Sequence, residues 1–370
     1  MKKATGVAIL FLAAAFFVLP SGTWASESGL VKLGKAIDSL TLNADLRIRY
    51  ELRDRDEVAP DKKNTTTDRM RTRFRLGFVW DNNEESWKVG AGLCTGGADA
   101  TSTNATWSNG NFFETGDIRL DYAFAQHKLG ESVKFTAGQQ KMLWNTSWLL
   151  WDGDVRPAGF TLNFDKSGFF ATAGAYVARQ YGNNMGKLYV AQLGYAGKID
   201  SLDFMLSTSY QPFNKELDEQ NRPNSNYKWE IYDVYGTAGI PIGDVNLSAY
   251  GHWFVNLGAD GDVGQGVLGG TLKPGDEDTG WVAGLDAKYK AFGAGVAYAE
   301  VGADSCFGPL KDADFGSGIS DTDLRGWVAS LSYNITKNFS VAGKGLFYEA
   351  KTRDKQPSVN LYQVDLGYKF

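Results

Sequence analysis

Residues 42–53 alternate without a break. Leu42, Ala44, Leu46, Ile48, Tyr50 and Leu52 occupy one face, and Asn43, Asp45, Arg47, Arg49, Glu51 and Arg53 occupy the other. A helix mixes these two sets around its circumference, whereas a strand keeps them apart, so the segment reads as β with one apolar and one charged side. The pattern returns at once, with Met70, Phe74, Leu76, Phe78 and Trp80 opposed to Arg69, Arg71, Arg73 and Arg75. An unbroken apolar face with arginines behind it has two stable uses: against a protein core, or against lipid with water behind.

The N-terminus favours lipid. Lys2 and Lys3 precede an apolar run from Ala4 to Leu19, and a small-residue stretch ends in Thr23-Trp24-Ala25, the layout of a cleaved export signal. The run is shorter than the roughly 20 apolar residues a helix needs to cross hydrocarbon. We therefore expect a signal peptide at 1–25, a short N-terminal periplasmic segment at 26–38 with Leu30, Leu33 and Ile37 on one side, and a barrel at 39–370. Removing the signal takes away two lysines and no acid from a chain of net charge −5, which excludes nucleic acid as a partner. Aromatics at 14% with 44 Gly and only 2 Cys suit many aromatic-rimmed strands without a disulfide framework. Whether Cys94 and Cys306 pair stays open, because sequence does not bring their Cα atoms within bridging distance.

Connection lengths supply an independent signal. Tight turns fall at Asp81–Glu85, Lys128–Glu131, Asp165–Gly168, Gly197–Asp200, Ile240–Asp244, around Ala291, and at Thr336–Asn338. Between them lie long polar loops: Asp54–Thr67, Thr95–Gly116, Gln211–Asn226, Asn256–Thr279 and Gly302–Asp323. Short periplasmic turns alternating with long external loops are how transmembrane barrels are built. The expected fold is all-β, a transmembrane antiparallel β-barrel of sixteen strands with both termini periplasmic. In the last strand Tyr362, Val364, Leu366, Tyr368 and Phe370 share one face.

These features resemble the porins, and most closely the putative porins of Gram-negative bacteria. The resemblance runs from Leu40 to Phe370 and is sharpest where Phe135-Thr136-Ala137-Gly138-Gln139-Gln140 leads to Trp144, Asp152, Arg156, Gly159 and Leu162. It implies an outer-membrane protein, an assembly signal at Tyr368 and Phe370 read by the barrel assembly machinery, contact with lipid and lipopolysaccharide, and a homotrimer as one possible assembly. Gln139 stands where barrel exporters of the alginate-export type more often carry Arg, which weakens assignment to that subgroup.

Sixteen strands leave an aqueous bore. Arginine on the lipid face costs about 2–4 kcal/mol at the midplane, so Arg47, Arg49, Arg69, Arg71, Arg73, Arg75 and Arg119 are expected to line the pore, with Arg53 beside them. They either favour anions or are neutralised by Asp45, Glu51, Asp117 and Asp121. The loop carrying Trp144, Trp148, Trp151, Asp152, Asp154 and Arg156 is the expected constriction. The resemblance sets Asp152 and Asp154 against the arginine wall. The tryptophans either form a stacking surface for solutes or pin the loop to the wall.

Enzyme chemistry finds little support. His127 and His252 are the only histidines; His127 lies next to a periplasmic turn, His252 is inward on a strand beside Tyr250 and Ser248, neither is aligned with an acid or a serine at one rim, and no metal-ligand, haem or phosphate-loop spacing occurs. No cofactor or metal is expected. The expected function is passive diffusion of small hydrophilic solutes or ions. The alternatives are a barrel sheath for a partner such as an electron-transfer cytochrome, and a substrate-selective exporter.

Overall fold

The computed structural model describes residues 39–56, 64–181, 184–214, 228–259, 276–352 and 357–369. The expected signal peptide at 1–25, the expected periplasmic segment at 26–38 and Phe370 lie outside the described residues.

Sixteen long strands form one antiparallel sheet that closes on itself. They are β1 (Leu40–Asp56), β2 (Thr65–Asn82), β3 (Trp87–Thr95), β4 (Ile118–Lys128), β5 (Val133–Gln139), β6 (Ala158–Lys166), β7 (Phe169–Tyr181) and β8 (Asn184–Ile199). There follow β9 (Leu202–Pro212), β10 (Glu230–Ile242), β11 (Val245–Asn256), β12 (Thr279–Tyr289), β13 (Phe292–Val301), β14 (Leu324–Asn334), β15 (Phe339–Ala350) and β16 (Ser358–Lys369). A two-residue strand, Ala105–Thr106, adds to the edge of β2 opposite Arg71 and Thr72. Closure is made by β1 on β16, in register from Asp45 opposite Lys369 to Asp56 opposite Ser358. A closed sheet leaves no strand edge unpaired in hydrocarbon, the condition for crossing a bilayer with strands.

The alternation that suggested strands also sorts their faces. Leu193, Leu206, Leu285, Leu331 and Val364 are exposed on the outside, in the position of a hydrocarbon belt. Aromatic pairs flank them. Phe169–Tyr195 and Phe292–Tyr333 lie at the short-turn end, and Tyr298–Trp327 and Phe347–Tyr362 at the long-loop end. His127 belongs to the first girdle, its ring 4.4 Å from that of Trp87. Among the described residues the register shifts twice, in β7–β8 between Val177 and Arg179 and in β3–β4 between Gly92 and Leu93. Ile118 and Leu120 point outward before this irregularity, whereas Tyr122 and Phe124 after it lie inside, over Gly90 and Gly92.

The interior is not an empty bore. A dry core of Trp144, Leu149, Trp151, Tyr176, Phe254, Phe315 and Leu346 fills part of it, built from inward wall residues and from two loops that turn into the barrel.

Candidate functional site: a constriction between an arginine wall and two inward loops

The first inward loop connects β5 to β6, residues 140–157. β5 has only seven residues, so the chain leaves the wall midway up the barrel. It does so after Gln139, just past Gly138, whose φ of 120° disfavours any side chain and where a Cβ would stand 2.3 Å from the Ala123 carbonyl oxygen. The neck is closed by the Gln140 N–H donating to the Pro157 carbonyl at 3.3 Å.

Inside the barrel this loop is fastened to the far wall. Trp151 Nε1 donates to Gln211 Oε1 at 2.8 Å, Trp148 Nε1 to the Tyr250 hydroxyl at 3.0 Å, and Gln192 Nε2 to the Asn145 carbonyl at 2.8 Å. Trp144 packs edge-on to Trp151 and against Tyr176, and Trp148 packs edge-on to Phe315. The loop is not helical, and the three indoles serve as pins rather than sharing one face.

Folding also brings together Ser147, His252 and Asp233, which no spacing in the chain connects. The Ser147 hydroxyl lies 2.7 Å from His252 Nδ1, and the Ser147 N–H donates to the same nitrogen at 3.3 Å. Nδ1 is thus the acceptor, which puts the ring proton on Nε2, facing Asp233 Oδ1 at 3.5 Å. That separation supports electrostatic attraction but not a formed hydrogen bond. Asp233 also accepts from Ser209 Oγ and, at 2.6 Å, from Gln211 Nε2. All three residues of the group are buried, Asp233 completely, and the contacts anchor the loop to β10 and β11.

The second inward loop, residues 302–323, was expected to be external and polar. It instead buries Asp304, Ser305, Cys306, Lys311 and Phe315. Burial pushes the Cys306 thiol up to about 12. Cys306 and Cys94 are both free and buried, which answers the pairing question in the negative. The Lys311 ammonium is internal and holds the Phe315 and Asp312 carbonyls, which knots the loop. The two loops brace each other: the Asp152 N–H donates to the Leu310 carbonyl at 2.7 Å, and the Asp312 N–H to the Trp148 carbonyl at 3.0 Å. Phe307, Leu310, Phe315 and Ile319 were the available signal, since an external loop has no use for four large apolar residues.

Against these loops stands the basic wall of β1 and β2, and it is assembled in pairs. Asp45 accepts from Arg73 and Arg75, at 3.0 and 2.7 Å. Glu51 accepts from Arg69 at 2.6 Å and lies 3.8 Å from Arg71. Asp365 of β16 takes Arg49 in a fork at 2.7 and 2.9 Å, with Arg47 3.7 Å away. Arg156 reaches Asp121 at 2.9 Å. Arg119 donates to the carbonyls of Gly97, Asp99 and Ser102, and so ties down the loop 96–117. Asp117 offers only its carbonyl, to Gly96.

The two acids of the first loop part company. Asp154 meets the wall, 3.6 Å from Arg75, and accepts from the Thr103 hydroxyl at 2.8 Å. Asp152 turns back to accept the Asp154 N–H at 2.6 Å, and burial together with the neighbouring Asp312 carboxylate pushes it up to about 7. The second loop supplies an acid that sequence reading missed: Asp314, 3.1 Å from Arg49. Although its burial opposes ionisation, Lys344 and Arg49 hold it down at about 2.

Several inward charged side chains retain partial exposure. Arg69 keeps 39%, Arg75 23%, Asp314 23% and Asp154 17%. Across from them Trp151, Phe254 and Phe315 are buried.

Against known proteins, the model of the putative porin family matches residues 24–231. No curated protein sequence matches the chain. Among solved structures the fold is similar to Pseudomonas putida OprB at high pH, with 13% identity over 91% of this chain and 96% of that one and a TM-score of 0.61. It is similar to Salmonella typhi OmpF in complex with daunomycin, with 16% identity, 90% and 97% coverage and a TM-score of 0.56. It is also similar to the outer membrane channel DcaP of Acinetobacter baumannii, with 12% identity, 90% and 97% coverage and a TM-score of 0.54.

Proposed function

This chain belongs to the putative porin family, and from that membership we propose that it lets small hydrophilic solutes and ions diffuse passively through a narrow passage along the arginine wall. Family and fold make it an outer-membrane channel protein and point away from an enzyme. The observation that carries the finer reading is the partial exposure of inward charges at the two loops, since a water-filled passage would keep Arg75, Asp154 and Asp314 wetted beside a packed core. The arginines of β1 and β2 face the acids Asp154 and Asp314 of the two loops, an arrangement that supports a transverse field across the passage.

A sheath for a threaded cytochrome fits less well, because the bore such a partner needs is taken up by Trp148, Leu149, Phe315 and their neighbours. The test is planar-bilayer recording of the purified protein alone. Stepwise conductance that scales with salt concentration supports the diffusion reading. A protein inserted in the bilayer yet electrically silent overturns it.

A further inference from the structure

The basic wall is rich in charge but nearly balanced. Arg47, Arg49, Arg69, Arg71, Arg73, Arg75 and Arg156 each lie within 4 Å of a carboxylate. A guanidinium locked to a carboxylate presents little net field to a passing ion, because the pair acts as a dipole whose influence falls steeply with distance. The sign of the passage therefore depends on any charge left over.

Arg119 is held by loop carbonyls and Arg53 by the Ser317 hydroxyl, whereas one cation at the neck of the first loop is left with neither. Lys141 lies just past the point where the chain leaves the wall after Gln139, it is exposed, and it makes no hydrogen bond or ion pair with any described residue. Its charged neighbours are Arg156, Arg75, Asp121 and Asp45, all inward-facing, so its ammonium lies among the charges of the basic wall. The local count is four cations, Arg73, Arg75, Arg156 and Lys141, against three carboxylates, Asp45, Asp121 and Asp154. Each carboxylate is already engaged by an arginine. Asp152 does not alter the balance, because it turns away into the brace between the loops.

We propose that Lys141, the unpaired cation at the neck of the inward loop, is the residue that sets the charge preference of the passage and holds small inorganic anions as they cross. The proposal rests on the channel reading above. An ammonium suits the role because it is a compact point charge on a flexible stem, which attracts an anion without the fixed fork that would trap it. Conduction needs binding that is firm enough to admit an ion and weak enough to release it.

The experiment compares the parent protein with K141Q, K141R and K141C in planar bilayers, reading reversal potentials in potassium chloride gradients. In dilute salt K141Q lowers the chloride-to-potassium permeability ratio by about threefold, and by less in concentrated salt, where the Debye length shrinks to about 3 Å. K141R keeps the parent's ratio. K141C loses it, regains it after reaction with a positively charged aminoethyl thiosulfonate, and inverts it with the sulfonatoethyl reagent. Cys94 and Cys306 are buried, so the parent treated in the same way stays unchanged. If K141Q forms open pores with the parent's reversal potential in dilute salt, or if the two reagents act alike on K141C, the proposal is wrong while the channel reading stands. A parent protein without conductance would remove both.

Discussion

Asp152 shows how one side chain can carry a pH dependence that its sequence neighbours do not suggest. Its carboxyl titrates at about 7 because it is buried and faces Asp312 across the brace between the loops. The folded protein therefore binds this proton more tightly than an unfolded chain, where a carboxylate titrates near 4. The stabilisation is complete below pH 4 and is lost as pH rises through 7, where an ionised Asp152 repels Asp312. We expect protease cleavage within residues 140–157 to quicken between pH 6 and pH 8 in the parent, and D152N to remove that rise. Equal cleavage of parent and variant across this range would disprove the assignment. Sequence reading named Asp152 and Asp154 together and gave them one role. Their separation depends on where two loops, distant in the chain, meet.

At the scale of elements, strands were legible and inward loops only half so. Alternation fixes which residues face lipid, because a one-residue error would move every arginine of β2 into hydrocarbon at about 2–4 kcal/mol each near the midplane. The strong periodicity of β1, β2 and β16 therefore survives folding unchanged. The loop 140–157 was legible through its family pattern, and Gly138 supplies the physical reason for part of that pattern. The loop 302–323 was not, since its apolar residues are spaced irregularly and no periodicity marks them as buried. Its core residue Phe315 is wholly buried between Trp148 and Tyr348. Phe315→Ala should cost about 3–5 kcal/mol of loop packing, and deletion of residues 304–321 should raise single-channel conductance several-fold. Unchanged conductance in the deletion variant would mean that this loop does not narrow the passage.

For the whole molecule, the charge pairs tie selectivity to balance rather than to the number of arginines. Changing Arg71, Arg73 and Arg75 together to Gln leaves Asp45 without partners and takes Arg75 from Asp154 and Arg71 from Glu51. Permeation should shift toward cations, by roughly severalfold in dilute salt and less at physiological ionic strength, where the Debye length is about 8 Å. D154N should move the reversal potential the other way. If neither variant moves it at low salt while both form open pores, the wall knits strands and does nothing else.

The loops also have a mechanical consequence. A hollow barrel resists lateral pressure only through the bending stiffness of its wall. This one is spoked: residues 140–157 are bonded to β4, β8, β9 and β11, and residues 302–323 to β1 and β15. The spokes meet near the axis in the paired Asp152–Leu310 and Asp312–Trp148 hydrogen bonds. Squeezing the cross-section in any direction must compress a packed core or break one of these ties, so the bore keeps its shape under the uneven load of a lipid membrane much as a wheel keeps its rim true.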